Sequence, residues 1–92
     1  MKGKQVLIVF FDLADPTANR TALVRKIKSY GQSARLGDSA YLISTSEAPV
    51  AVRDKMSTVL RHGDRLYVGL APAPAAWSGL PDAVSNWILA NP

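Results

Sequence analysis

Seven acidic residues, one histidine and no cysteine set the chemistry open to this 92-residue chain. Asp12 is the best placed of the acids, directly after the unbroken apolar run Val6–Phe11. A carboxylate on a rigid strand end offers the oxygen that a hard cation prefers, which makes Asp12 a candidate ligand for Mg²⁺ or Mn²⁺. A single carboxylate makes a poor site. A two-fold axis that sets Asp12 against its symmetry mate in a homodimer makes a better one. The competing reading is a solvated turn carboxylate after a buried strand. Asp15, followed by Pro16, has the pattern of a helix N-cap with proline at the first helical position. Asp38 reads as a turn residue, or as an acid supporting Asp12 if its hairpin folds that way.

Most other catalytic schemes lack their parts. Without cysteine there is no thiol nucleophile, disulfide frame or thiolate zinc site. His62 is alone and falls where a helix C-terminus favours a cation. Ser39, Ser44 and Thr45 are strand hydroxyls with no base at triad spacing. Phosphate-loop and dinucleotide glycine patterns are absent. The remaining chemistry is that of charge. The chain carries a net +4, and Arg20, Arg25, Lys26 and Lys28 fall on one predicted helix, with Arg35, Arg61 and Arg65 elsewhere. Side chains of this kind spaced along a surface make phosphate contacts to DNA or RNA. They are also what an ordinary solvated helix face displays.

The elements that position these residues follow from periodicity. Residues 5–12 read as a central strand: Val6, Ile8 and Phe10 alternate with Leu7, Val9 and Phe11, so both faces are apolar. A helix is expected over 16–30, with Leu23, Val24, Ile27 and Tyr30 on one face and Gly31 just past its end. Residues 33–36 and 39–45 read as two strands joined by a two-residue type II′ turn at Gly37-Asp38, or as one strand bent by a bulge. A second helix is expected over 47–61, capped by Ser46, and a last strand over 65–70. The order β-α-β-β-α-β predicts an α+β, ferredoxin-like antiparallel sheet with two helices on one face. Residues 1–70 form that domain. Residues 71–92 are a Pro/Ala linker and a C-terminal docking helix, with Trp77, Val84, Trp87 and Ile88 as its apolar groups. Because the helices cover one face only, a homodimer or the folded-back C-terminal segment must cover the other. An RNA-recognition module shares this topology, but it needs exposed aromatics on its two middle strands. Only Tyr41 is offered on the third strand, and that reading is set aside. The longest apolar run is too short to span a bilayer, so no membrane partner is expected, and the lack of cysteine suits a cytoplasmic location.

Four stretches carry a resemblance: Val9-Phe-Phe-Asp-Leu13, Asp38-Ser-Ala-Tyr-Leu-Ile-Ser-Thr45, Asp64-Arg-Leu-Tyr-Val68, and Ala76-Trp-Ser-Gly79 with Trp87-Ile-Leu89. In this order they resemble the SinR-like family, within the superfamily of CRISPR-associated Cas-two proteins and VapD-type toxins. The resemblance implies a ferredoxin-like homodimer that binds nucleic acid. It also implies an aromatic-Asp pair, matched by Phe11-Asp12, whose carboxylate is the proposed catalytic metal ligand for phosphodiester cleavage with Mg²⁺ or Mn²⁺. Ser39 and Tyr41 are similar to a serine and following aromatic that accompany it. Other members of the superfamily are non-catalytic scaffolds or toxin–antitoxin components, and an interaction platform is therefore the alternative. The Trp-Ser-Gly appendage is like the SinR-like branch and unlike typical CRISPR members.

Overall fold

The computed structural model describes residues 3–92; Met1 and Lys2, at the start of the expected 1–70 domain, lie outside the described residues. The elements are β1 (Gln5–Asp12), α1 (Pro16–Lys28), β2 (Ser33–Gly37), β3 (Ala40–Thr45), α2 (Pro49–Ser57), β4 (Arg65–Leu70) and α3 (Asp82–Ala90). The strands form one antiparallel sheet in the order β2-β3-β1-β4. This is the ferredoxin-like α+β pattern with an added C-terminal helix. Among the described residues no helix is long and apolar enough to cross a membrane.

β1 lies between β3 and β4, and its alternation supplies both sheet faces. Leu7, Val9 and Phe11 point to the helix side, where Leu23 and Ile27 of α1 and Val52 and Met56 of α2 meet them with Ile43 of β3. Each such side chain, removed from water, contributes roughly 1.5–3 kcal/mol before entropy is counted. Val6, Ile8, Phe10 and Asp12 belong to the opposite face. There residues 71–81 and α3 fold back across the β2–β3 side, so Val6 and Leu42 are buried in cis. The cover is loose: a cavity of about 400 Å³ remains, walled by Val6, Leu36, Leu42, Trp77, Leu80 and Ile88. Trp77 Nε1 donates to Ser85 Oγ at 3.0 Å and braces the linker against α3. Phe10, nearer β4, remains 44% exposed.

Several boundaries differ from the sequence expectation, each for a local reason. α1 stops at Lys28, not at residue 30: the Ser29 hydroxyl donates to the Lys26 carbonyl, and Gly31 takes a φ of 81°. α2 starts at Pro49, and Ser46 is not its cap. Thr45 Oγ1 instead accepts from the Glu47 amide at 3.1 Å, and the N-cap is Ala48. α2 ends at Ser57, although Val59 and Leu60 still pack on the core from the turn beyond. The β2–β3 turn is Asp38-Ser39, because Gly37 remains in β2 without positive φ; a register shift lies between Arg35 and Gly37. The structure thus combines a displaced turn with a register irregularity, where either a II′ turn or a single bulged strand was expected. Asp15 caps α1 as expected, accepting from the Thr17 amide at 3.2 Å and the Thr17 hydroxyl at 2.6 Å.

A polar knot ties the loops at the exit end of β1. Asp64 accepts from the amides of Ala14 at 2.9 Å and Arg61 at 2.7 Å, and from Asn19 Nδ2 at 2.8 Å. The buried Asn19 also donates to the Val59 carbonyl at 2.8 Å. One carboxylate thus joins the β1–α1 loop, α1 and the α2–β4 loop. The Arg61 amide first, then Asn19 and the Ala14 amide, hold the Asp64 carboxyl below its ordinary value. A lowered folded-state pKa contributes stability above the unfolded value, about 3.9, and that contribution is lost as pH falls through the folded value. Acid titration of wild type should therefore show stability falling below about pH 4. Asp64→Asn should be less stable at neutral pH and flatter across that acid range. Asn19→Ala should cost about 1–3 kcal/mol in urea unfolding, because it strips the Val59 carbonyl and Asp64 of a partner; an unchanged midpoint would contradict the role of the knot.

Candidate functional site

The exit of β1, the first turns of α1 and the β2–β3 turn enclose a cleft of about 280 Å³. Its lining includes Asp12, Pro16, Arg20, Asp38 and Ser39. Pairing of the strands creates this grouping. Phe11 N–H donates to the Ser39 carbonyl at 2.9 Å, which extends the β1–β3 ladder into the turn and sets Ser39 beside the end of β1. Arg20 closes the side: its Nη2 donates to the Asp38 carbonyl at 2.9 Å, and its guanidinium lies 5.9 Å from the centroid of the Phe11 ring. Arg20 therefore has one donor engaged by the turn and its planar cation partly over an aromatic face. Its other N–H groups carry no protein partner among the described residues.

Asp12, Arg20 and Ser39, expected in separate roles, line one cleft. Asp38 joins them, with its carboxylate held by an ion pair to Arg35. Arg35 also donates from Nε to the Gly37 carbonyl at 3.2 Å, so its charge is turned onto its own hairpin. Tyr41 stands apart from the cleft. It is 3% exposed on the helix side of the sheet, stacked with Phe11 at 6.3 Å between centroids, and acts as core beneath the site. Arg25 and Lys28 are exposed in the last turns of α1, with Lys26 partly exposed between them. His62 lies elsewhere, beside Ala14, Asp15, Arg61 and Asp64.

The charge pattern is lopsided. α1 contains four basic residues and no acid. Its bases form no ion pair among the described residues, whereas Arg35, Arg53 and Lys55 pair with Asp38, Asp54 and Glu47. A basic last turn suits the helix dipole, which explains one such residue more readily than three. Away from the cleft, Glu47 also accepts from the Tyr30 hydroxyl at 3.0 Å. Lys55 first, and Tyr30 after it, hold the Glu47 carboxyl low. Burial, reinforced by Glu47, pushes the Tyr30 phenol up.

A single chain supplies few ligands for a divalent ion. The Asp12 carboxylate makes no hydrogen bond or ion pair among the described residues, although its backbone is paired in the sheet, and Ser39 adds a hydroxyl to the same cleft. No group of three or more His, Cys, Asp or Glu side chains is arranged to hold a metal among the described residues. Mg²⁺ is commonly held by one or two carboxylates, water and substrate phosphate. The donor set fits an ion completed by nucleic acid or by a second Asp12, and does not fit a closed structural site.

Comparison with protein-family models, curated proteins and solved structures gave no match.

Two residues to which the sequence reading gave no site role gain importance from the structure. Phe10 and Tyr67 are register partners across β1 and β4, both exposed on the face opposite the helices. The alternation of β1 pointed to Phe10; the pairing with Tyr67 required the register. For the cleft itself, Arg20→Ala should cost about 1 kcal/mol by urea denaturation, through loss of the cation–ring and carbonyl contacts. Hydrogen exchange at the Phe11 amide should accelerate, since its acceptor lies in the turn that Arg20 holds. Unchanged exchange there would show that the turn stands without Arg20.

Proposed function

We propose that the chain binds nucleic acid through phosphate contacts made by α1 and the cleft at the exit of β1. The observation that carries this reading is the unneutralised basic helix: Arg20, Arg25, Lys26 and Lys28 on one 13-residue element without an acid. It starts beside a cleft where Arg20 has free donors and Ser39 a free hydroxyl, and its other three bases lie towards its far end. Arg35 contributes less than the sequence implied, because Asp38 engages it. DNA and RNA are both suitable polyanions, and the resemblance to the SinR-like and Cas-two proteins supports the same class of partner.

Phosphate contacts release condensed counterions, so affinity should fall steeply with salt. Charge reversal at Arg25 and Lys28 removes two contacts from an exposed surface. It should leave the fold intact and lower the log–log salt slope by about two. Fluorescence anisotropy with labelled oligonucleotides across a salt series measures this. Binding with the same affinity and slope in wild type and variant would remove α1 from the interface.

A second reading is metal-dependent nuclease activity, favoured by the meeting of Asp12 and Ser39 in one cleft. It rests on a homodimer that sets Asp12 against its mate, because one protomer supplies a single unengaged carboxylate there. Mg²⁺ or Mn²⁺ held between them would polarise a phosphate and acidify a bound water. Wild type and Asp12→Asn from matched preparations, assayed with Mg²⁺, Mn²⁺ or chelator, separate the outcomes. Under this reading cleavage needs metal and is lost in Asp12→Asn. Equal cleavage by both proteins would place the activity elsewhere, and no cleavage by either would leave a non-catalytic binding domain.

A further inference from the structure

On the face away from the helices, the folded-back C-terminal segment covers the β2–β3 side and stops short of β4. Two aromatic rings occupy what is left. Phe10 is 44% exposed and Tyr67 64% exposed, in direct register across β1 and β4. Directly opposed strand residues place their Cβ atoms about 4.5–5.5 Å apart, so the two side chains rise from adjacent positions of the sheet.

Gly69 shapes that surface. It follows Tyr67 on the same face of β4 and is the register partner of Ile8. A Cβ at Gly69 would stand 2.9 Å from Tyr67 Cε1 and 3.0 Å from its Oη. The Tyr67 ring therefore lies along its own strand, over the glycine, in space that any other residue would claim. A tyrosine standing upright from the sheet would need no such gap. The ring lies over Gly69, towards the Ile8 register position, and is exposed on the same sheet face as Phe10.

Charge at the edge of this platform is of the useful sign. Arg65 precedes Tyr67 by two residues on the same face, is exposed, and forms no ion pair among the described residues even though its register partner is Asp12. Beyond Asp12 the surface turns into the cleft that holds Arg20 and Ser39. A chain of alternating bases and phosphates could lay its bases on the rings and its phosphates near Arg65 and Arg20. Duplex DNA could not, because its base faces are already stacked.

We infer that Phe10 and Tyr67, with Gly69 beneath, form a stacking platform for unpaired bases of a single-stranded nucleic acid. This rests on the nucleic-acid reading above and narrows its substrate class. Base–aromatic stacking tolerates any sequence, since every base has a π face, and each stacked base contributes enough that loss of its ring lowers affinity about tenfold or more.

The test is anisotropy with an oligothymidine of about 12 nucleotides, a duplex of equal length and an abasic backbone of equal length. Wild type is compared with Phe10→Ser, Tyr67→Ser, Gly69→Val and the Arg25→Glu/Lys28→Glu pair. Circular dichroism confirms the fold; the two aromatic side chains are exposed and their removal opens no core. Wild type should prefer the single strand to the abasic backbone. Phe10→Ser and Tyr67→Ser should each lose about tenfold for the single strand and little for the duplex or the abasic backbone. Gly69→Val should follow Tyr67→Ser, by displacing the ring without removing it.

Full single-strand affinity in the aromatic variants would overturn the platform. If the Arg25→Glu/Lys28→Glu pair still weakened binding, the broader phosphate reading would survive that result. Absence of binding to all three ligands would overturn both. Sedimentation gives the remaining outcome: a wild-type dimer of twice 9.9 kDa that Tyr67→Ser converts to monomer, with single-strand affinity unchanged, would show that a second copy occupies the rings and would overturn the inference.

Discussion

The structure depends on β1 being apolar on both sides while standing in the middle of the sheet. A strand with Leu7, Val9 and Phe11 on one face and Val6, Ile8 and Phe10 on the other cannot be left half covered by two helices. The helix side is closed by α1 and α2. On the reverse side the Pro/Ala linker, Trp77 and α3 lie over Val6 and Leu42. The cover is partial because α3 buries no residue fully and reaches the β2 side, leaving the β1–β4 side with its aromatic pair. The same strand, by ending at Asp12, brings its carboxylate to the mouth of the cleft. Core, docking surface and candidate site are thus three consequences of one eight-residue segment.

Much of this was legible in the residue pattern because it is local. The continuous apolar run marked β1 as central, Asp15-Pro16 marked the start of α1, and the order of periodicities led to the ferredoxin-like arrangement. What was not legible depends on contacts distant in sequence. Ser46 looked like a cap, but Thr45 took the Glu47 amide first. Gly37 looked like a turn residue, but the Phe11 amide bonds the Ser39 carbonyl, and the turn falls one residue later than expected. Asn19 and Asp64 are 45 residues apart and have no sequence signature as partners.

The candidate site divides in the same way. Asp12 was readable as the end of a central strand, whereas Ser39 entered as a site residue only through the resemblance, and its place beside Asp12 needed the β1–β3 register. Arg20 was readable as basic and helical, while its grip on the Asp38 carbonyl and its position over Phe11 needed the turn geometry. Tyr41 illustrates the limit of alternation in a short edge hairpin: in a six-residue strand with four buried neighbours, the side to which an aromatic points is set by register to β1. Phe11 is opposite the turn on the helix side, and Tyr41 stacks there. Arg35 shows how a basic residue can lose its outward charge to a neighbour three positions away.

The physical account joins an electrostatic surface on α1 and the β1 exit to an aromatic surface on the reverse of the sheet, with Arg65 and Asp12 at the edge between them. Backbone amide chemical shifts, recorded while an unlabelled short oligothymidine is titrated into isotopically labelled protein, test this most directly. The account predicts saturable shifts at Arg20 and along the end of α1, and at Phe10, Tyr67 and Gly69, with residues 82–90 of α3 unmoved. Shifts confined to the C-terminal segment and its cavity, or none at low salt, would contradict it.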